Sequence, residues 1–179
     1  GKIALAGAPG DEITQGLDGL AKRLDGYKQQ GARFAKWRAV YNVSDTLPSR
    51  LAVEANAQAL ARYAAICQEQ GIVPIVEPEV LMDGPHASHD IDECYRVTEW
   101  TPRPVVRELY DARVELEGMA LKPTMTSAGQ RSAKQASAAE VAEKTVRCLK
   151  ATVPSSVPGI AFLSGGQSDE AATQHLSFM

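Results

Sequence analysis

From Thr14 to Tyr27 apolar residues fall at Leu17, Leu20, Ala21, Leu24 and Tyr27, the spacing of one helix face, and Gly31 follows as a stop. The pattern then changes. "ARFAKWRAVYNV" is short and rich in aromatic and β-branched residues, which predicts a strand. "PSRLAVEANAQALARYAAICQEQG" returns to helical spacing, with Val53, Ala57, Leu60, Ala64 and Cys67 on one face and Gly71 at its end. "GIVPIVEPEVL" is almost continuously apolar and predicts a second, buried strand. A helix is expected over much of Asp92 to Arg113, broken or kinked by Pro102 and Pro104. "GMALKPTM" predicts a third strand, and "PGIAFLSGG" a fourth. Between them Ser137 and Glu140 form a capping-box pattern that opens a helix through about Lys150. "QSDEAATQHLSFM" starts another helix.

Strand and helix alternate, and each connection between strands carries a helix, so the strands must be parallel and the class α/β. An open doubly wound sheet would want a glycine-rich phosphate loop after its first strand, and none is present. Polar residues gather instead near the C-terminal ends of several strands, which favours a (β/α)8 TIM barrel. Four clear strands in 179 residues fall short of the about 250 residues usual for such a barrel. The chain also starts without Met and ends inside a helix, so residues 1–179 are expected to form a single, partial barrel domain.

Charge removes one class of function. With 19 basic against 22 acidic residues, a net charge of -3 and no basic run, there is no electrostatic footprint for nucleic acid. No apolar run is long enough to span a bilayer, and "GKIALAGAPGDE" lacks the apolar core of a signal peptide, so a cytoplasmic protein without membrane contact is expected. Cys67, Cys94 and Cys148 are odd in number and widely spaced, which fits reduced, partly buried thiols.

Within the predicted strands, alternation turns Lys36 and Arg38 to one side and Ala35 and Trp37 to the other, and it puts Glu77 and Glu79 together. Lys122 lies near the end of the third strand. Two lysines, an arginine and two carboxylates at successive strand ends suit amine-based carbonyl chemistry. A nucleophilic lysine must lose its proton, which a neighbouring cation encourages, and the carbinolamine it forms needs a nearby carboxylic acid to move protons. The Ser164-Gly165-Gly166 turn leads into a helix, an arrangement that can hold a phosphate through backbone N–H groups. Taken singly, each residue also fits a structural ion pair or an ordinary turn; the recurrence at strand ends is what favours chemistry. "DGPHASHDIDEC" offers His86, His89, Asp90, Asp92 and Cys94 as metal ligands, but no second ligand-rich segment supports them. A solvated loop with Asp90 or Asp92 as a helix N-cap is the preferred reading, and no metal or cofactor is expected.

"FAKWR", "GIVPIVEPEVL", "LEGMALKPTM" and "VPGIAFLSGGQSDEAA", in this order and with "ITQGLDGL" upstream, resemble the class I fructose-bisphosphate aldolases over essentially the whole chain. The resemblance implies a (β/α)8 barrel, here roughly its fourth to seventh strands. It also implies metal-free cleavage of fructose 1,6-bisphosphate through a Schiff base, and a homotetramer for the complete protein. By motif, Lys122 would be the Schiff-base lysine and Glu77 the proton shuttle, with Glu79 hydrogen-bonding beside it. Lys36 would be the charged neighbour and Arg38 a residue near a substrate phosphate. Ser164, Gly165 and Gly166 would form part of the phosphate cradle. The family's first-strand aspartate, third-strand lysine and eighth-strand arginine have no counterpart in this chain, Thr124 stands where many members carry Asn, and "DGPHASHD" is longer than the usual loop. Two other readings stand beside this one: a non-catalytic fragment of such a barrel, and a lysine-dependent aldolase for another phosphorylated sugar.

Overall fold

The computed structural model describes residues 1–179. Its centre is a three-stranded parallel sheet in the order β3-β4-β5, formed by Phe34–Tyr41, Val73–Val80 and Ala120–Leu121. The order follows the chain without reversal, and each crossover is helical, which makes the fold α/β. Helix α2, Arg50–Glu69, links β3 to β4; α3, Ile91–Trp100, and α4, Pro102–Asp111, link β4 to β5.

Strand alternation divides the sheet into two unlike faces. Trp37, Ala39 and Tyr41 of β3, Val76 and Val80 of β4, and Leu121 of β5 join the main apolar core. Against them lies the stripe expected of α2: Val53, Ala57, Leu60, Ala64 and Cys67 are all fully buried. Tyr63 fastens the two layers, since its ring stacks at 5.4 Å from that of Trp37 and its hydroxyl donates to Ala35 O. The other face of the sheet carries Lys36, Arg38, Glu77 and Glu79.

Local chemistry explains most of the boundaries. Ser137 and Glu140 make both bonds of the capping box, and α5 runs over Ala138–Thr152. The α3/α4 break falls at Thr101, so Pro102 and Pro104 occupy the first turn of α4, where backbone N–H groups have no intrahelical acceptor to lose. Cys67, Cys94 and Cys148 are free and buried more deeply than expected.

Three expectations are corrected. The helix predicted from Thr14 begins only at Leu20 (α1, Leu20–Gln29), and Glu12–Thr14 is β2, paired antiparallel with β1, Lys2–Ala4. Gly19, at φ 65, turns the chain into α1 in a conformation that a side chain would strain. The third strand is only two residues long, because Pro123 has no N–H with which to extend the ladder. The fourth strand contracts to a single parallel bridge, Leu121↔Ile160, before α6, Asp169–Phe178.

Candidate active site

The site grows out of strand register. On β3 and β4, Lys36 is paired with Ile75 and Arg38 with Glu77. Each cation reaches two residues further along, so Lys36 Nζ meets Glu77 Oε2 and Arg38 Nε meets Glu79 Oε2. The other oxygen of Glu77 lies 3.0 Å from Lys122 Nζ. One buried carboxylate is therefore held between two amines, one from each neighbouring strand. Glu77 is 2% exposed, yet Lys36 and Lys122 remain 41% and 28% exposed, so both amines face open space beyond the carboxylate.

Glu77 and Glu79 share a face as predicted but not a partner. Glu79 binds Arg38 rather than standing beside Glu77 as its hydrogen-bonding neighbour. That bond raises the pKa of Arg38, with Glu77 and Asp83 adding to it. Only Nε of Arg38 is used by Glu79. The residue lines a cleft of about 600 Å³ that also includes Lys2, Glu12, Asn42, Asp83 and His86. Behind it, Thr14 Oγ1 donates to Arg38 O at 2.6 Å and steadies the outer edge of β3. Asn42 and Asp83 had no motif to announce them; they follow strand ends, and only folding sets them beside Arg38.

Ser164, Gly165 and Gly166 form a tight turn before α6, with both glycines at positive φ, 60 and 85. Gln130 Nε2 donates to Gly166 O at 2.7 Å, which ties the turn to the loop following Lys122. No hydrogen bond joins the turn directly to Lys122, Glu77 or Lys36; it is brought to the same loop cluster, not to the same contact.

The segment from Asp83 to Asp90 is the expected solvated loop only in part: Asp83, Gly84, Pro85 and Ser88 are exposed, but two of its residues turn inward. Ala87 and His89 are buried, and Gly129 N and Arg131 N donate to His89 O and Ala87 O at 3.0 and 2.8 Å. Asp90 caps α3, with Glu93 completing the box. Asp92 turns away to Lys144, and nowhere do three His, Cys, Asp or Glu side chains gather as a metal site would require. Neither ring nitrogen of His89 has a partner at full hydrogen-bond geometry, and burial lowers its pKa below 6.5, although the nearby His86 backbone, Glu93 and Asp90 favour the proton. Below pH 6.5 the unfolded chain therefore takes up a proton that the native chain resists. The stability contribution is present above 6.5 and is lost as pH falls through that value towards the folded pKa. Urea midpoints measured from pH 7.5 to 5 should fall more steeply for the wild type than for His89→Leu; parallel slopes would exclude the effect.

The family model "Glycolytic: Fructose-bisphosphate aldolase class-I" matches residues 1–179. A Xanthomonas axonopodis pv. citri protein named probable fructose-bisphosphate aldolase class 1 is 58% identical over 179 residues, all of this chain and 53% of its own. Fructose-bisphosphate aldolase 6, cytosolic, of Arabidopsis thaliana is 54% identical over 179 residues and 49% of its length. Among solved structures, fructose-bisphosphate aldolase from Plasmodium falciparum, in complex with TRAP and a small-molecule inhibitor, superposes with TM-score 0.95 at 43% identity. That match covers 99% of this chain and 51% of the other. The chain spans about half the length of the relatives it matches.

Proposed function

We propose, because this chain belongs to the class I fructose-bisphosphate aldolase family, that it carries the Schiff-base centre for reversible cleavage of fructose 1,6-bisphosphate. The products are dihydroxyacetone phosphate and glyceraldehyde 3-phosphate, in glycolysis and gluconeogenesis. One observation carries the reading: the carboxylate of Glu77 is held between the amines of Lys36 and Lys122. Lys122 passes an ammonium proton to the Glu77 carboxylate 3.0 Å away and, as a neutral amine, attacks the ketone carbon of the substrate, its nitrogen proton passing to the new oxygen to give the carbinolamine. Glu77, within hydrogen-bond reach, gives a proton to the carbinolamine hydroxyl, which leaves as water while the nitrogen lone pair forms the C=N bond. The iminium then accepts the electron pair of the breaking C3–C4 bond, and the aldehyde departs as its hydroxyl proton passes to the Glu77 carboxylate left by dehydration. Protonation of the remaining enamine and hydrolysis release the second product and restore Lys122.

Lys36 supplies positive charge beside Glu77. Glu79 orients Arg38, whose remaining guanidinium N–H groups suit one substrate phosphate. The backbone of Ser164, Gly165 and Gly166 suits the other. The residues are read as one partial domain, the fourth to seventh strands of a (β/α)8 barrel. The unreversed parallel order and the charged groups at strand ends support that reading. A cytoplasmic homotetramer is proposed for the complete protein.

Borohydride reduction of the full-length polypeptide with dihydroxyacetone phosphate should leave a mass adduct on the peptide containing Lys122. Absence of that adduct under conditions that trap a known aldolase would overturn the reading.

A further inference from the structure

We propose, resting on the aldolase reading above, that Thr124 is a positioning residue that holds the strand bearing Lys122 at working distance from the strand bearing Glu77. The regular ladder between β4 and β5 pairs only Ile75↔Ala120 and Val76↔Leu121, and its last backbone bond runs from Lys122 N to Val76 O at 2.8 Å. Pro123 then ends it, having no N–H to give. On the facing strand Val80 is buried, and a backbone N–H left there without a partner would be costly. Thr124 Oγ1 accepts that N–H at 2.9 Å, and Thr124 is itself buried.

A side chain thus does what the backbone ladder no longer can. The bond from Lys122 N to Val76 O lies on one side of the Glu77–Lys122 pair and the bond from Val80 N to Thr124 Oγ1 on the other. The 3.0 Å separation of Glu77 Oε1 and Lys122 Nζ is set between these two ties. Without the second, the segment just after Lys122 loses its side-chain tie to β4, while its remaining bonds run to Leu163 and Thr145 on other elements. Proton transfer to the carbinolamine needs hydrogen-bond reach, and a displacement on the order of 1 Å can cost about 100-fold in rate. Thr124 touches neither substrate nor reacting atoms; it acts through the two strands.

The test uses the full-length polypeptide with Thr124→Val, Thr124→Ala and Thr124→Ser. Thr145→Val is the control, because Thr145 Oγ1 accepts Thr126 N at 2.9 Å in an equally buried bond on α5. Thr124→Val, and Thr124→Ala should the first not fold, are expected to lower kcat and the rate of borohydride trapping about 10- to 100-fold, with KM within about threefold. Thr124→Ser keeps the acceptor and should return both rates to near the wild-type values. Thr145→Val should lose thermal stability while keeping its kcat per folded molecule. Wild-type kcat in both Thr124→Val and Thr124→Ala, or an equal loss in Thr145→Val, overturns the proposal while leaving the aldolase reading intact. A wild-type protein that traps no adduct at Lys122 overturns the aldolase reading, and this proposal with it.

Discussion

Replacing Lys122 with arginine is expected to eliminate the borohydride adduct and lower kcat/KM by at least about 10⁴-fold, the scale of losses when a covalent nucleophile is removed. Arginine retains the positive charge and can still pair with Glu77, so the ion pair seen at 3.0 Å survives in altered form. What disappears is the chemistry: a guanidinium does not deprotonate at working pH and forms no iminium with a ketone. Charge and nucleophilicity are thereby separated. Stability should change little, because Lys122 is partly exposed and its stem has room to accommodate the larger head group. Residual activity within tenfold of the wild type would assign the nucleophile to another amine, with Lys36 the obvious alternative at the same carboxylate.

Glu77→Gln is expected to lower kcat by about 10²- to 10⁴-fold, the range for loss of a positioned general acid, with a much smaller change in KM. Glutamine keeps the shape and an acceptor oxygen but carries no transferable proton and no charge. Lys36 and Lys122 then lose the carboxylate charge that both contact. Trapping with borohydride should be slowed rather than abolished, since Lys122 can still attack while dehydration lags. Glu79→Gln provides the contrast: it releases Arg38, so its effect should fall mainly on KM for phosphorylated substrates. Equal kcat losses in the two variants would mean that the carboxylates act only as a structural pair.

Much of this site was legible before folding, and the reason is periodicity. Alternation along β3 and β4 fixes which side chains share a face, so Lys36, Arg38, Glu77 and Glu79 could be grouped from the sequence. It does not fix the stagger between strands. Which cation meets which acid depends on a two-residue offset visible only in the paired strands, and so the link from Glu79 to Arg38 was missed. The stripe of α2 and the cap at Ser137 were equally plain, being long or chemically specific signals. Short elements gave no such signal. The strands Lys2–Ala4 and Glu12–Thr14 have three residues each, too few for a period, and the glycines after them cut short the helical pattern that Leu17 seemed to begin. His89 failed for another reason: polar composition around it suggests exposure, while its burial depends on backbone bonds to residues 129–131, some forty positions away.

The offset ladder of charges also has a consequence for the folding chain. Lys36–Glu77 and Arg38–Glu79 can form together in only one alignment of β3 with β4. A shift of two residues one way gives Arg38 the bond to Glu77 and strands Glu79; the opposite shift gives Lys36 to Glu79 and takes from Glu77 its cation on β3. Both wrong alignments keep the apolar face towards the helices, so hydrophobic burial alone discriminates poorly between them. The first would bury the Glu79 carboxylate with no cation, at a cost of order 3–5 kcal/mol for a fully buried pair, and the second would leave Glu77 with Lys122 alone. The residues proposed for proton transfer thus also act as a vernier, selecting one strand alignment from those that hydrophobic collapse would accept.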